Sequence, residues 1–420
     1  MPTSVLVIDP ESAGIDLIAE LQGREVEVTT WTQDVPYVHS ERGEHALDAE
    51  LVALAKSGDF DAVIAGGESG VSAAELLASV LGHRASDPSF IFHRRDKNGM
   101  VSCIREAGLR ASRSVVIHDA AELVSALAAT GLPAVLKPTN SAGSDLVRVV
   151  KTQPEAEEHA AEVLGSTSIL GLENHGFVVQ EYLDGPQFHI NTVVVDGAHL
   201  VTEVYSDLFR MVDGAPQLYG GRTYRYDDPQ IAGVIDYTIA CMDALGVREG
   251  STHSEVRVTA DGPVLVEFNG RLMGPCQPTD YFVKAQSYSQ ATVWADVLAG
   301  RAAEARAVVE RRDPQVTLGF YMLSAANAGT LTKLDESSLR TLASYRGVFN
   351  APQVGDVVTV ENRTTTAEIG IVFLAQNDER QVDDDIKRIK ELELAGEIHA
   401  VSAMPPSAAK PLAYSRTPGT

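Results

Sequence analysis

Glu255, Glu267, Asn269 and Arg271 are spaced so that a single hairpin would gather all four. They lie in two alternating segments, Gly250-Ser-Thr-His-Ser-Glu-Val-Arg-Val-Thr-Ala260 and Pro263-Val-Leu-Val-Glu-Phe-Asn-Gly-Arg271, on either side of Asp261-Gly262. Asp-Gly between alternating runs is a strong signal for a two-residue hairpin turn. With those residues at the turn, position 260 pairs with 263. A register one residue off that count sets Arg257 against Leu265, Glu255 against Glu267 and His253 against Asn269, all on one face because side chains repeat every second residue. Two carboxylates directly opposite each other repel, a cost that makes sense when a cation lies between them. Oxygen ligands from Glu255, Glu267 and Asn269 suit a hard ion that keeps phosphate oxygens and water in its remaining positions, which describes Mg2+. Arg271 continues the face toward those phosphates. Pro263 lacks the N–H that closes a two-residue turn, and a one-residue slip would turn Glu255 to the opposite face. A bare solvent-facing hairpin is the competing reading.

The spacing resembles the ATP-grasp superfamily, in which a Glu on one strand and Glu-x-Asn-x-Arg on the next bind magnesium and phosphates. Further segments carry the resemblance, in order, over roughly residues 1–300. They are Asp96-Lys97 ahead of a helix ending in Ala107-Gly108, Pro133-Ala-Val-Leu-Lys137 followed by Pro138-Thr-Asn-Ser-Ala-Gly-Ser144, and Val178-Val-Gln-Glu181-Tyr-Leu183-Asp-Gly185. The resemblance implies that Lys97 and Lys137 hold phosphates and that the loop with Ser141, Gly143 and Ser144 covers them. It also implies that the hinge Glu181, Tyr182 and Leu183 holds adenine. The physics agrees with each role, since a lysine supplies a point charge and small residues let backbone N–H groups approach anionic oxygens. Two positions depart from the family pattern. Where it often has Gly-x-Glu, this chain has Gly185-Pro-Gln187-Phe-His189, so Gln187, with His189 beside it, would take over the ribose contact. Asp145 stands where glycine is frequent.

Within the superfamily, Thr252-His-Ser-Glu255 together with Glu267-Phe-Asn-Gly-Arg-Leu-Met-Gly274 most resembles the L-amino-acid ligases that make dipeptides. That resemblance implies transfer of the ATP γ-phosphoryl group to a carboxylate, attack by an amine, and release of ADP and phosphate. Two Mg2+ ions, replaceable by Mn2+, would sit on Glu255, Glu267 and Asn269, and Arg271 would stabilise the moving phosphoryl group. Glu68, Arg222 and His253 become the substrate contacts, with Met273 and Pro275 shaping the pocket. Rival readings are a carboxylase of the biotin or purine-pathway kind, which would activate bicarbonate, and an ATP-binding regulatory protein without catalysis.

The elements that must position these residues are legible as alternating strand and helix signals. Val5–Asp9, Ile15–Leu21, Val26–Thr30, a helix near His45–Ser57 and the strand Asp61–Ala65 are α/β winding, and Gly66-Gly-Glu-Ser-Gly70 sits where that last strand turns into an apolar helix, Val71–Leu81. A helix over Asn98–Ala107, a strand Ser114–Ile117 and a helix Ala120–Thr130 follow, then strands Ala134–Lys137, Val147–Val150 and Phe177–Tyr182. The expected fold is α/β, with α+β character in the ATP-binding part. It is an ATP-grasp fold with a Rossmann-like N-terminal domain (1–95), a segment with a mobile lid (96–184), a catalytic part (185–305), a strand-rich C-terminal domain (306–403) with a charged helix Asp383–Leu394, and a disordered tail (404–420).

Composition bounds the partners. A formal charge of -24 argues against a broad nucleic-acid or anionic-membrane surface. No run of 18 apolar residues and no signal-peptide pattern occur, and the three cysteines, Cys103, Cys241 and Cys276, are far apart without CxxC spacing. The expectation is a cytoplasmic protein, a homodimer, acting on a small-molecule carboxylate and amine.

Overall fold

Val5, Leu6, Val7 and Ile8 are all fully buried, and they alternate between two cores. In this computed structural model, which describes residues 3–38, 46–139, 145–168, 173–212, 214–274, 278–312, 316–360 and 368–403, they form β1 (Ser4–Ile8). α1 (Ala13–Gln22), β2 (Glu27–Trp31), α2 (Ala49–Ser57), β3 (Ala62–Ala65) and α3 (Val71–Leu81) follow, and the strands lie parallel in the order β2-β1-β3. Val5 and Val7 pack with Leu17 and Leu21 of α1, while Leu6 and Ile8 pack with Leu51 of α2 and Leu77 of α3. Burial on both faces is why the strand reads as a continuous apolar run. At the C-terminal end of this sheet a Cβ on Gly66 would come within 2.7 Å of Pro10 Cα, so only glycine permits the tight turn that presents Glu68.

The chain divides into two units, Met1–Leu318 with Arg363–Thr365, and Gly319–Asn362 with Thr366–Thr420. In the first, α4 (Ile91–Arg95) and α5 (Lys97–Glu106) are separated by Asp96, whose carboxylate accepts from Asn98 N at 3.0 Å and Gly99 N at 2.7 Å. That N-cap places Lys97 at the first helical position. β4 (Ser114–Ile117), α6 (Leu123–Thr130), β5 (Ala134–Pro138), β6 (Arg148–Val150), α7 (Gln153–Val163) and β7 (Phe177–Glu181) make an antiparallel sheet of order β4-β7-β5-β6. Leu136, Phe177 and Val179 pack with Leu123 and Leu127 of α6 and Ala160 and Val163 of α7.

β8 (Gln187–Val195), β9 (Ala198–Val212), β10 (Ala215–Thr223), α8 (Pro229–Ala244), β11 (Gly250–Thr259) and β12 (Gly262–Asn269) come next, with antiparallel strands in the order β12-β11-β8-β9-β10. Phe188, Ile190, Val204, Val256 and Leu265 bury one face against Ile231, Val234 and Ile235 of α8. α9 (Thr279–Gln286), α10 (Gln290–Leu298) and α11 (Ala302–Arg311) follow, and Val293 and Trp294 of α10 join the core of β1 and α1.

The second unit holds β13 (Thr317–Leu323), β14 (Gly329–Leu334), β15 (Tyr345–Phe349), β16 (Val357–Val358), β17 (Gly370–Gln376), α12 (Glu379–Leu394) and β18 (His399–Ala403). Its strands run in the orders β13-β17-β15 and β16-β14-β18. α12 begins earlier than the charged pattern predicts because Asp378 caps it, accepting from Arg380 N at 3.0 Å. Among the described residues no helix is long and apolar enough to cross a membrane. The expected tail, from 404 onward, lies outside the described residues.

Candidate active site

With α8 on one face of β12-β11-β8-β9, the other face collects the polar side chains. Glu255 lies opposite Glu267 and His253 opposite Asn269, the pairings expected from the sequence. Nearer the turn the register differs from expectation. Arg257 pairs with Val264, not Leu265, and the closing pair is Thr259–Gly262, so Ala260 and Asp261 form the loop. Gly262 takes φ +113°, and Val266 is an extra residue between the pairs Glu255–Glu267 and Val256–Leu265. That bulge absorbs the one-residue difference and leaves both carboxylates on one face.

Cations surround the pair. Lys97 Nζ lies 3.0 Å from Glu267 Oε1. Lys137 is buried, and that burial, followed by the like charge of Lys97, pushes its ammonium down to about 8 while Glu267 and Glu255 pull the other way. Burial alone would raise the Glu255 carboxyl, but His253, His189 and Lys137 outweigh it and hold it well below the usual range. Arg271 and Arg95 both ion-pair with Glu68, whose turn brings it from the N-terminal sheet. Asn269, with its amide nitrogen oriented for hydrogen bonding, donates to both Glu68 oxygens at 3.3 Å. Burial lowers Arg95 to about 10, with Glu267 opposing that shift and Arg271 adding to it.

β8 and β9 supply the next row. Glu255 faces His189 in register, Arg257 faces Gln187, and His253 faces Asn191. His189 Nε2 is 2.9 Å from Asp207 Oδ2 and 3.9 Å from Glu255 Oε1, and His253 Nε2 is 3.8 Å from the same oxygen. Burial would lower His189, but Asp207 overrides it and raises the imidazole above its ordinary value. His253 goes the other way, pushed down to about 4 chiefly by burial.

Several expected contacts are placed differently. Gln187 donates Nε2 to Glu255 Oε2 at 2.9 Å and accepts from Arg257 Nε at 3.0 Å, so both ends of its amide serve neighbours and not a ribose. At the hinge, Glu181 N–H donates to Arg113 O at 2.9 Å and Tyr182 N–H to Pro133 O at 3.3 Å. The Glu181 carboxylate holds Arg113 at 2.8 Å, and Leu183 O accepts from Arg257 Nη1 at 2.9 Å. Glu68 joins the site, but held by two guanidiniums, not presented as a lone carboxylate for an amine. Arg222 is not brought to the group. It pairs with Ser206, which pairs with Phe188 of the apolar face, and its guanidinium stacks 4.6 Å from the Tyr224 ring centroid. Ser141, Gly143, Ser144 and Pro275 lie outside the described residues.

Arg95, Asn191 and Asp207 were not anticipated. A signal for Asn191 existed: Gln187, His189 and Asn191 are polar at every second position of a strand whose nine residues are all buried. Arg95 and Asp207 carry no such local mark.

Residues 130–280 match the ATP-grasp domain family, and the chain has that mixed α/β fold. Among known proteins it is similar to dapdiamide A synthase of Enterobacter agglomerans, 28% identical over 219 residues that cover 52% of each chain. It is also similar to an L-arginine-specific L-amino acid ligase of Bacillus subtilis, 19% identical over 86% of each chain. The solved structure of an L-amino acid ligase from Bacillus licheniformis superposes with a TM-score of 0.72 at 17% identity, covering 96% of this chain and 99% of that one. The chain spans about half the length of the first curated relatives it matches, 52% and 48%.

Proposed function

We propose that this protein is an ATP-dependent carboxylate–amine ligase that forms an amide or peptide bond between amino acids or amino-acid-like metabolites, releasing ADP and phosphate. The observation that carries the reading is the opposed pair Glu255–Glu267, backed by Asn269 and ringed by Lys97, Lys137, Arg95 and Arg271. Similarity to amino-acid ligases supports the substrate class.

Glu255, Glu267 and Asn269 fit a hard divalent cation, since oxygen donors on one rigid face suit it. Two Mg2+ ions, with Mn2+ as a substitute, would neutralise the nucleotide polyphosphate there. Lys97 and Lys137 bind and orient the phosphates. Arg271 reaches the transferring phosphoryl group by exchanging its contact with Glu68, and its guanidinium offsets the charge on that group while the bond to the leaving ADP oxygen breaks and the new bond to the carboxylate oxygen forms. The amine then displaces phosphate from the acyl-phosphate. His253, neutral by burial, lines the floor on the substrate side, and the loop with Ser141, Gly143 and Ser144 excludes water from the intermediate. The acidic sequence with three separated cysteines supports a place in the cytosol.

The test is a panel of amino-acid pairs with Mg-ATP, following ADP, AMP and amide product by mass spectrometry. The reading expects ADP and an amide only when both substrates are present. AMP with pyrophosphate, or ADP formed with bicarbonate alone, would overturn it.

A further inference from the structure

On the side of Glu255 away from Glu267 lies a second group of possible ligand atoms. Among the described residues, His189, His253 and Glu255 offer ligand atoms that all fall within 4.8 Å of one another. Asp207 Oδ2 joins them, 2.9 Å from His189 Nε2. The four residues sit on one face of three adjacent strands, β11, β8 and β9, so the backbone holds them in place before any ligand arrives.

Two features mark this as a cation site and not a hydrogen-bonded cluster. First, Asn191 donates Nδ2 to Glu203 Oε2 at 3.4 Å, which turns its Oδ1 toward His253 Nδ1 at 2.9 Å. His253 therefore carries its proton on Nδ1, and the bare Nε2 lone pair faces Glu255 Oε1 across 3.8 Å. Two acceptors pointed at each other across that gap are separated by room for an ion, and a ring N–H donated to an amide carbonyl is the usual arrangement behind a metal-binding imidazole. Second, the Asp207 side chain is fully buried, and neither of its oxygens accepts a well-aligned hydrogen bond, although His189 Nε2 is close. His189 sets one charge partner against that carboxylate at 2.9 Å, and a directly bound cation would ligate both side chains at once.

We propose that His189, His253, Asp207 and Glu255 form a site for a late first-row divalent ion of the Zn2+ class, on the β8 side of Glu255, adjoining the all-oxygen site toward Glu267 and sharing Glu255 with it. Two imidazole nitrogens select such an ion over Mg2+, which prefers oxygen and water. Donors about 2.1 Å from a shared ion stand roughly 3.0–3.4 Å apart. The 2.9 Å separation falls just short of that range, and the 3.8 and 3.9 Å separations must close by about half an ångström through rotamer adjustment.

The experiment uses the full chain, stripped with chelator and dialysed against Zn2+ in a large excess of Mg2+, with no nucleotide present. Bound metal is measured by elemental analysis, and Co2+ serves as a spectroscopic probe. One Zn2+ per chain is expected, with a Co2+ visible band showing nitrogen ligation. H253A should weaken Zn2+ binding at least about tenfold, and D207N, which keeps the side chain's shape, should do the same if H253A does not fold. E267Q should keep wild-type Zn2+ affinity. The proposal falls if the wild type takes up no Zn2+ against excess Mg2+, or if D207N and folded H253A bind it as the wild type does. It also falls if E267Q loses as much affinity as they do, which would put the ion in the carboxylate pair. Because no turnover is measured, these outcomes leave the ligase reading untouched, and a failed ligase assay leaves them untouched.

Discussion

Glu68 and Arg271, 203 positions apart in the chain, form an ion pair that ties the turn after β3 to the end of β12. Arg95 holds the other oxygen of the same carboxylate. Glu68 thus keeps two guanidiniums, which would otherwise repel each other, aimed toward the Glu255–Glu267 pair. Removing one partner from a largely buried ion pair leaves uncompensated charge, so Glu68→Gln should destabilise the protein by on the order of 3 kcal/mol. Mg-ATP should restore part of the loss, since phosphates can pair with the released Arg271. Denaturant melts with and without nucleotide check this. Equal destabilisation under both conditions would detach Arg271 from the phosphate site.

Glu267 faces both Glu255 and Lys97. Glu267→Gln should leave the fold intact, because the position is partly exposed, and should cut ligation far more than tenfold. Residual activity above about a tenth would mean a barrier change under roughly 1.4 kcal/mol, too small for a shared metal ligand. Circular dichroism and steady-state rates on the same preparation decide it.

Lys137 should set an alkaline limit. Its ammonium is pushed down to about 8, so in the free protein the charge is present below that pH and is lost as pH rises through it. The kcat/KM for ATP should therefore fall about tenfold per pH unit above this point. With ATP bound, the phosphates favour the charged form, and kcat should hold to higher pH. Lys137→Arg, always protonated, should abolish the fall in kcat/KM. An unchanged alkaline limb in that variant would assign the titration elsewhere.

Gln187 joins Glu255 and Arg257 through the two ends of its amide. Gln187→Glu should impair the protein. It replaces a donor to Glu255 with a like charge, so the variant should need several-fold more Mg2+ for half-maximal rate. Improved ATP affinity at unchanged Mg2+ demand would show that the side chain turns to the ribose.

Much of this site could be read from the chain alone because its central piece is local. Alternation with period two puts His253 and Glu255 on one face of their strand and Glu267 and Asn269 on one face of theirs, and the bulge at Val266 is what brings the two faces together despite the shifted turn. The N-terminal α/β winding was legible for the same reason, since buried parallel strands write themselves as continuous apolar runs. Tertiary structure decided what depends on strand order and on which face a distant residue shares. Arg222 looked like a ligand for an anion, but its pairing with Ser206 puts it on the α8 side. Asp207 meets His189 only because β9 lies beside β8, and Arg95 and Arg271 meet only because Glu68 arrives between them from another sheet. Local spacing fixes which side chains share a strand face, whereas contacts between separate elements are set by long-range packing, which leaves no periodic mark on the sequence.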